Sequence, residues 1–129
     1  MVSWNNLDTL SSYKELADVK PACLTEVMSG DNGAERVKNY SIPMAAGLSY
    51  NYASKQVNED VLSALEKLAD EAQLADKFKA LYNGEVVNTG EKRLVLHHMT
   101  RGQLGDAVEA DGVDKRTFYK TQQERIAEF

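Results

Sequence analysis

At 129 residues, with 43% hydrophobic and 27% charged side chains, the chain has the size and balance of one soluble globular domain. A net charge of −5, from 20 acidic against 15 basic side chains, gives no long-range attraction for a phosphate backbone, so nucleic acid is not an expected partner. No apolar run reaches membrane-spanning length, the start MVSWNNLDTL has no secretory pattern, and the single Cys23 cannot close an internal disulfide; the expectation is a cytoplasmic protein without membrane association.

Helices are expected over 1–30. Trp4, Leu7, Leu10, Tyr13 and Leu16 recur at spacings of three, an amphipathic stripe that Pro21 stops. CLTEVMSG then gives one or two helical turns ending at Gly30, and SGDNG reads as a turn. Over 35–55 a β-hairpin is expected. Val37, Tyr40 and Ile42 lie in a β-leaning run, PMAAG turns the chain, and Leu48, Tyr50 and Tyr52 alternate with Ser49 and Asn51.

The region 58–83 reads as two helices or one bent helix. Asn58 caps it, Glu59 and Asp60 lie where the helix dipole favours negative charge, and Val61, Leu62, Leu65, Leu68, Ala69 and Ala72 form one apolar face. Leu74, Phe78 and Leu81 continue inward, and Gly84 is the stop. Asn88 stands three residues before Glu91, close to a capping box, so 88–101 is expected to be helical, with a buried strand over RLVLHHM as the other reading. RGQLGDAVEADGVD is a loop or short hairpin. A last helix over 113–129 carries Phe118, Gln122, Arg125, Ile126 and Phe129 on one side, and its abrupt aromatic end reads as a cut.

None of the chemical candidates carries a mechanism. His97 and His98 are adjacent, so on a helix they project about 100° apart and on a strand to opposite faces; neither geometry suits one metal ion. One histidine toward the core and the other toward solvent is the expectation. Cys23 has no activating neighbour except Lys20, no G-x-S-x-G is present, and SGDNGAER does not open a phosphate-binding helix with a Lys-Ser/Thr pair. The acidic pairs Glu59-Asp60 and Asp70-Glu71, and the basic pairs Lys92-Arg93 and Lys115-Arg116, read as solvated faces.

LYNGEVVNTGEKRLVLHHMTR nevertheless resembles a segment of the glucose-6-phosphate isomerases. That family has an aromatic-x-Gly-Glu, then Ile/Val-Asn-x-Thr-Glu-x-Arg-x-Val-Leu-His, and an arginine four residues on. Tyr82, Gly84, Glu85, Val87, Asn88, Glu91, Arg93, Val95, Leu96, His97 and Arg101 match in order. Gly90 departs from the family's threonine, and Met99-Thr100 from its Ala-Leu. Weaker similarities occur in the right order along the chain: SWNNL, ERVKNYSI, the Ser54-Lys55 strand end and DGVDKRTFYKTQQERIAEF.

The resemblance implies a mainly α chain with a small β-hairpin (α+β), 1–129 being a single N-terminal portion of a larger α/β enzyme of the parallel-sheet, SIS type. It further implies a dimeric isomerase that interconverts glucose 6-phosphate and fructose 6-phosphate through an enediol, in glycolysis and gluconeogenesis, with no cofactor or metal. The family's Gly-Gly-Arg-Phe-Ser and Gln-x-Gly-Val-Glu segments do not occur here. His97 matches the N-terminal motif rather than the catalytic histidine. No residue of this chain is therefore assigned a catalytic, substrate-binding, cofactor-binding or metal-ligating role. The implied partners are a sugar phosphate for the whole enzyme, the remainder of that enzyme and a second subunit. The isolated chain is expected to be inactive, and self-associating or poorly stable. The alternative is a stand-alone, non-catalytic interaction module resembling that region.

Overall fold

Helix formation is strongest where a cap and a continuous apolar stripe coincide, and Glu59–Glu71 (the fourth α-helix, α4) has both. Asn58 Oδ1 accepts from the Val61 amide at 2.9 Å, satisfying one of the first-turn donors that no carbonyl can reach. The computed structural model describes residues 2–102 and 105–129, in two compact units: Leu7–Glu71, and Met1–Asn6 with Ala72–Phe129. Helices dominate, joined by small antiparallel strand pairs, an α+β arrangement. Among the described residues no helix is long and apolar enough to cross a membrane.

In the unit Leu7–Glu71, a 3-10 turn at Leu7–Thr9 leads into α1 (Ser11–Asp18), which packs on α4. Leu10, at the N-cap of α1, offers no side-chain acceptor. Glu71 supplies one from the far end of α4: its carboxylate accepts from the amides of Ser11 (3.3 Å) and Ser12 (2.8 Å) and from both serine hydroxyls. The Ser12 hydroxyl is the main cause that holds the Glu71 carboxyl down at about 2, from an ordinary 4.5. The buried apolar residues of this unit are small: Ala22, Ala53, Val61 and Ala64.

The chain continues through α2 (Leu24–Val27) and α3 (Gly30–Asn39). SGDNG is thus not a turn but the beginning of α3, and residues 35–39 are helical rather than part of a hairpin. Composition misled because two glycines read as a turn, whereas Gly33 is there for space. A Cβ on it would meet the Met28 carbonyl oxygen at 2.5 Å, so only glycine lets α3 start so close behind α2. The expected hairpin does form, shortened to β1 (Ser41–Pro43) and β2 (Ser49–Asn51), with Ile42 opposite Tyr50 and PMAAG as the connection.

Arg36 of α3, 7% exposed, fixes the loop after β2. Its Nε donates to Ala53 O (2.8 Å), its Nη2 to Lys55 O (3.0 Å) and Val57 O (2.8 Å), and its guanidinium lies 4.0 Å from the centre of the Tyr40 ring. One side chain satisfies three main-chain carbonyls that no secondary structure reaches.

In the second unit, Gln73 at φ 54° precedes α5 (Leu74–Tyr82), so two separate helices occupy 58–83. Leu74 and Phe78, expected inward, are 60% and 63% exposed. The apolar residues of α5 cover more than one face, and the face buried in this unit is that of Ala80.

The helix expected over 88–101 is instead β3 (Val86–Asn88) paired with β4 (Arg93–Leu94), and then a 3-10 turn at His97–Arg101. The capping-box bonds do form: Asn88 Oδ1 accepts from the Glu91 amide (3.1 Å) and Asn88 Nδ2 donates to Glu91 Oε2 (3.3 Å). They close a hairpin, because Gly90 breaks helix continuity, Lys92 takes a left-handed φ of 53°, and the flanking Val86, Val87 and Val95 favour extended backbone. RGQLGDAVEADGVD, of which Gln103 and Leu104 lie outside the described residues, contains the hairpin β5 (Glu109–Ala110) and β6 (Val113–Asp114). The last helix is α6 (Lys115–Glu128), with Phe118, Ile126 and Phe129 exposed.

Candidate functional site

The motif stretch and α6 meet around Tyr82, the last residue of α5. The helix stops there because the next turn needs Gly84, at φ 74°; a Cβ on Gly84 would stand 2.2 Å from Val108 Cγ1. The Tyr82 carbonyl, orphaned at the helix end, is taken by two side chains from elsewhere in the sequence. Arg116 Nη2 donates to it at 2.8 Å and His98 Nε2 at 3.1 Å. A carbonyl only accepts, so Nε2 is the protonated nitrogen of His98. The imidazole also stacks on the Tyr82 ring, 4.6 Å between centroids and 27° between planes.

Arg116 is 6% exposed, against the expectation of a solvated Lys115-Arg116 pair. Its Nε donates to Asp106 O, and its guanidinium carbon is 5.6 Å from the centre of the Tyr82 ring. Arg116 Nη1 and His98 Nδ1 are buried without a hydrogen-bond partner among the described residues. Asp114 orients the helix that carries Arg116. Its carboxylate accepts from Thr117 Oγ1 (2.5 Å), from the amides of Arg116 (3.1 Å) and Thr117 (3.3 Å), and from Val108 N (3.2 Å). The Thr117 hydroxyl leads in holding the Asp114 carboxyl below its ordinary value. Met99, next to His98 in the same 3-10 turn, is fully buried.

His97 and His98 therefore divide as expected: His97 is exposed in the 3-10 turn, and His98 is half-buried against Tyr82. They do not converge on one ion. Among the described residues, no three His, Cys, Asp or Glu side chains are placed to hold a metal. Asn88, Glu91 and Arg93 sit at the exposed hairpin, with Arg93 Nε 3.8 Å from Glu91 Oε2. Cys23 is exposed. Sequence reasoning missed Arg116, Arg36 and Glu71. The acceptors and donors they meet lie 10 to 60 residues away, so no local spacing marks them. Chemically, the Tyr82 cluster fastens a helix end, a 3-10 turn and a helix start together, with His98 Nε2, Arg116 Nε and Arg116 Nη2 donating to main-chain carbonyls.

The family described as phosphoglucose isomerase has a sequence model that matches residues 51–129. The whole chain is similar to curated relatives. A glucose-6-phosphate isomerase of Treponema denticola is 43% identical over 133 residues, covering 99% of this chain and 25% of that protein. One from Treponema pallidum is 42% identical, covering 99% of this chain and 25% of that protein. One from Borreliella afzelii is 41% identical, covering 100% of this chain and 24% of that protein. The chain thus spans about a quarter of the length of the curated relatives it matches.

Proposed function

The chain belongs to the phosphoglucose isomerase family, and from that premise we propose that residues 1–129 are the N-terminal region of a glucose-6-phosphate isomerase. The whole enzyme, on this reading, is a cytoplasmic homodimer built on parallel sheets. It opens the sugar ring and moves a proton between C2 and C1 through an enediol, with neither metal nor cofactor, in glycolysis and gluconeogenesis. The quarter-length match to the isomerases is the observation that carries the proposal.

The chain itself supplies scaffold and no catalytic group. Aldose–ketose exchange needs a base within hydrogen-bond reach of the carbon-bound proton, ionised but not too weak, and a second group to assist at the ring oxygen. Glu71 does not suit the role of base. Its carboxylate is engaged by Ser11 and Ser12, and a value near 2 makes it a poor proton acceptor at neutral pH. His98 is tied to the Tyr82 carbonyl, and His97 stands exposed with no carboxylate hydrogen-bonded to it among the described residues.

The test is the protein encoded by the full reading frame, assayed by coupling fructose 6-phosphate conversion to glucose 6-phosphate oxidation. The expected result is isomerase turnover that survives His97→Ala and Glu91→Gln with kcat changed less than about twofold, since neither group meets the transition state. A full-length product without isomerase activity, or a kcat collapse in either variant, overturns the reading.

A further inference from the structure

The β1–β2 hairpin and α4 enclose a groove of about 490 Å³, lined by Ile42, Tyr50, Tyr52, Val57, Leu62 and Leu65. Cross-strand register places Ile42 directly opposite Tyr50 on one face, and Tyr52, two residues on, continues it. The Tyr50 and Tyr52 rings stack with centroids 6.1 Å apart. Ile42, Tyr50 and Leu65 are 50%, 46% and 40% exposed, so this is contiguous apolar surface and not scattered side chains. A single cationic residue borders it: Lys55, whose main-chain carbonyl is bound by Arg36 and whose exposed side chain has no ion pair among the described residues.

We propose that this groove seats an apolar segment of the same polypeptide from beyond residue 129, and that the segment carries a carboxylate facing Lys55. This rests on the reading of the chain as one quarter of a longer isomerase. Three features select that occupant. The matched relatives are about four times as long as this chain, so most of their length is available to cover the face. The groove is open on one side, whereas a pocket for a small molecule encloses most of its ligand. A second copy of this chain would bring another −5 charge against the first, which opposes pairing. The unpaired lysine at its border selects an acidic partner, because seating a segment there without one would strand a charge away from water.

Amine-reactive labelling of Lys55 and oxidative footprinting of Tyr50, in the 129-residue chain and in the full-length protein, read the occupancy directly. Both residues are expected to react at least about tenfold more slowly in the full-length protein, where reaction requires local opening. Equal rates in an enzymatically active full-length protein overturn this inference and leave the isomerase reading standing. An inactive full-length protein overturns the isomerase reading itself. Protection that grows with concentration in the 129-residue chain assigns the groove to a second copy, and overturns the proposal. In full-length protein, Lys55→Glu is expected to lower the melting temperature by several degrees and Lys55→Arg to leave it near the parent. Equal melting temperatures for the two variants overturn the carboxylate partner.

Discussion

Asn58 and Asn88 make the same local hydrogen bond and lead to opposite structures. Each side-chain oxygen accepts from the amide three residues on, at 2.9 and 3.1 Å. After Asn58 the chain enters the thirteen-residue helix α4; after Asn88 it closes the β3–β4 hairpin. An asparagine cap satisfies an amide and leaves the continuation to the residues downstream. Downstream of Asn58 is EDVLSALEKLADE, rich in helix formers with a regular apolar stripe. Downstream of Asn88 is TGEKRLVL, with a glycine, a left-handed lysine and β-branched residues.

The two regions are also held differently. α4 is fastened at both ends by caps, Asn58 at its own start and Glu71 reaching the start of α1. The hairpin region depends on buried groups near it in the chain and in space: Met99, His98 and the Arg116 guanidinium at the Tyr82 carbonyl. Substitutions separate the two modes. Met99→Ala should cost about 2–5 kcal/mol, since it empties a fully buried site, and denaturant unfolding of the chain reads it. Arg116→Ala should cost about 1–3 kcal/mol by stranding the Asp106 carbonyl and leaving the Tyr82 carbonyl to His98 alone. Arg116→Lys should recover only part, because an ammonium cannot span two acceptors as a guanidinium does. If both Arg116 variants unfold with the parent, the guanidinium does not hold the hairpin region.

Smaller effects sharpen the contrast between the asparagines. Asn58→Ala should remove about 1 kcal/mol, and Asn88→Ala no more than about 0.5 kcal/mol, because the exposed hairpin has less cooperative structure riding on its turn. Equal losses contradict the distinction. The Glu71 clamp shows on acidification alone. Its carboxyl is lowered in the folded chain from 4.5 to about 2, so its contribution is complete above about pH 4.5 and fades as pH falls toward 2. Glu71→Gln should flatten that part of the stability–pH profile. An unchanged acid limb in Glu71→Gln shows that the carboxylate does not hold the start of α1.

The same division separates the elements legible in the sequence from those that are not. α4 with its cap, the stop at Gly84, the PMAAG connection and the final helix are legible because each is a local pattern. The start of α3 at Gly30 is not, since Gly33 is required by Met28 packing rather than by a turn. Nor is the exposure of Leu74 and Phe78, because an apolar spacing says which residues want burial and not whether this stretch of chain can bury them. Among the site residues, the division of His97 and His98 between solvent and interior comes from adjacency alone. The partners of His98 do not, as the Tyr82 carbonyl lies 16 residues back and Arg116 reaches it across 34.

On the proposed reading, this region builds the frame of a longer isomerase and holds none of its catalytic groups. Turnover of fructose 6-phosphate by the purified 129-residue chain, measured in the coupled assay beside the full-length protein, tests it most directly. The expected result is a rate for the chain indistinguishable from buffer, with isomerase turnover in the full-length protein. Conversion by the chain alone that is abolished by His98→Ala or Glu71→Gln contradicts the claim and places catalytic chemistry among these residues.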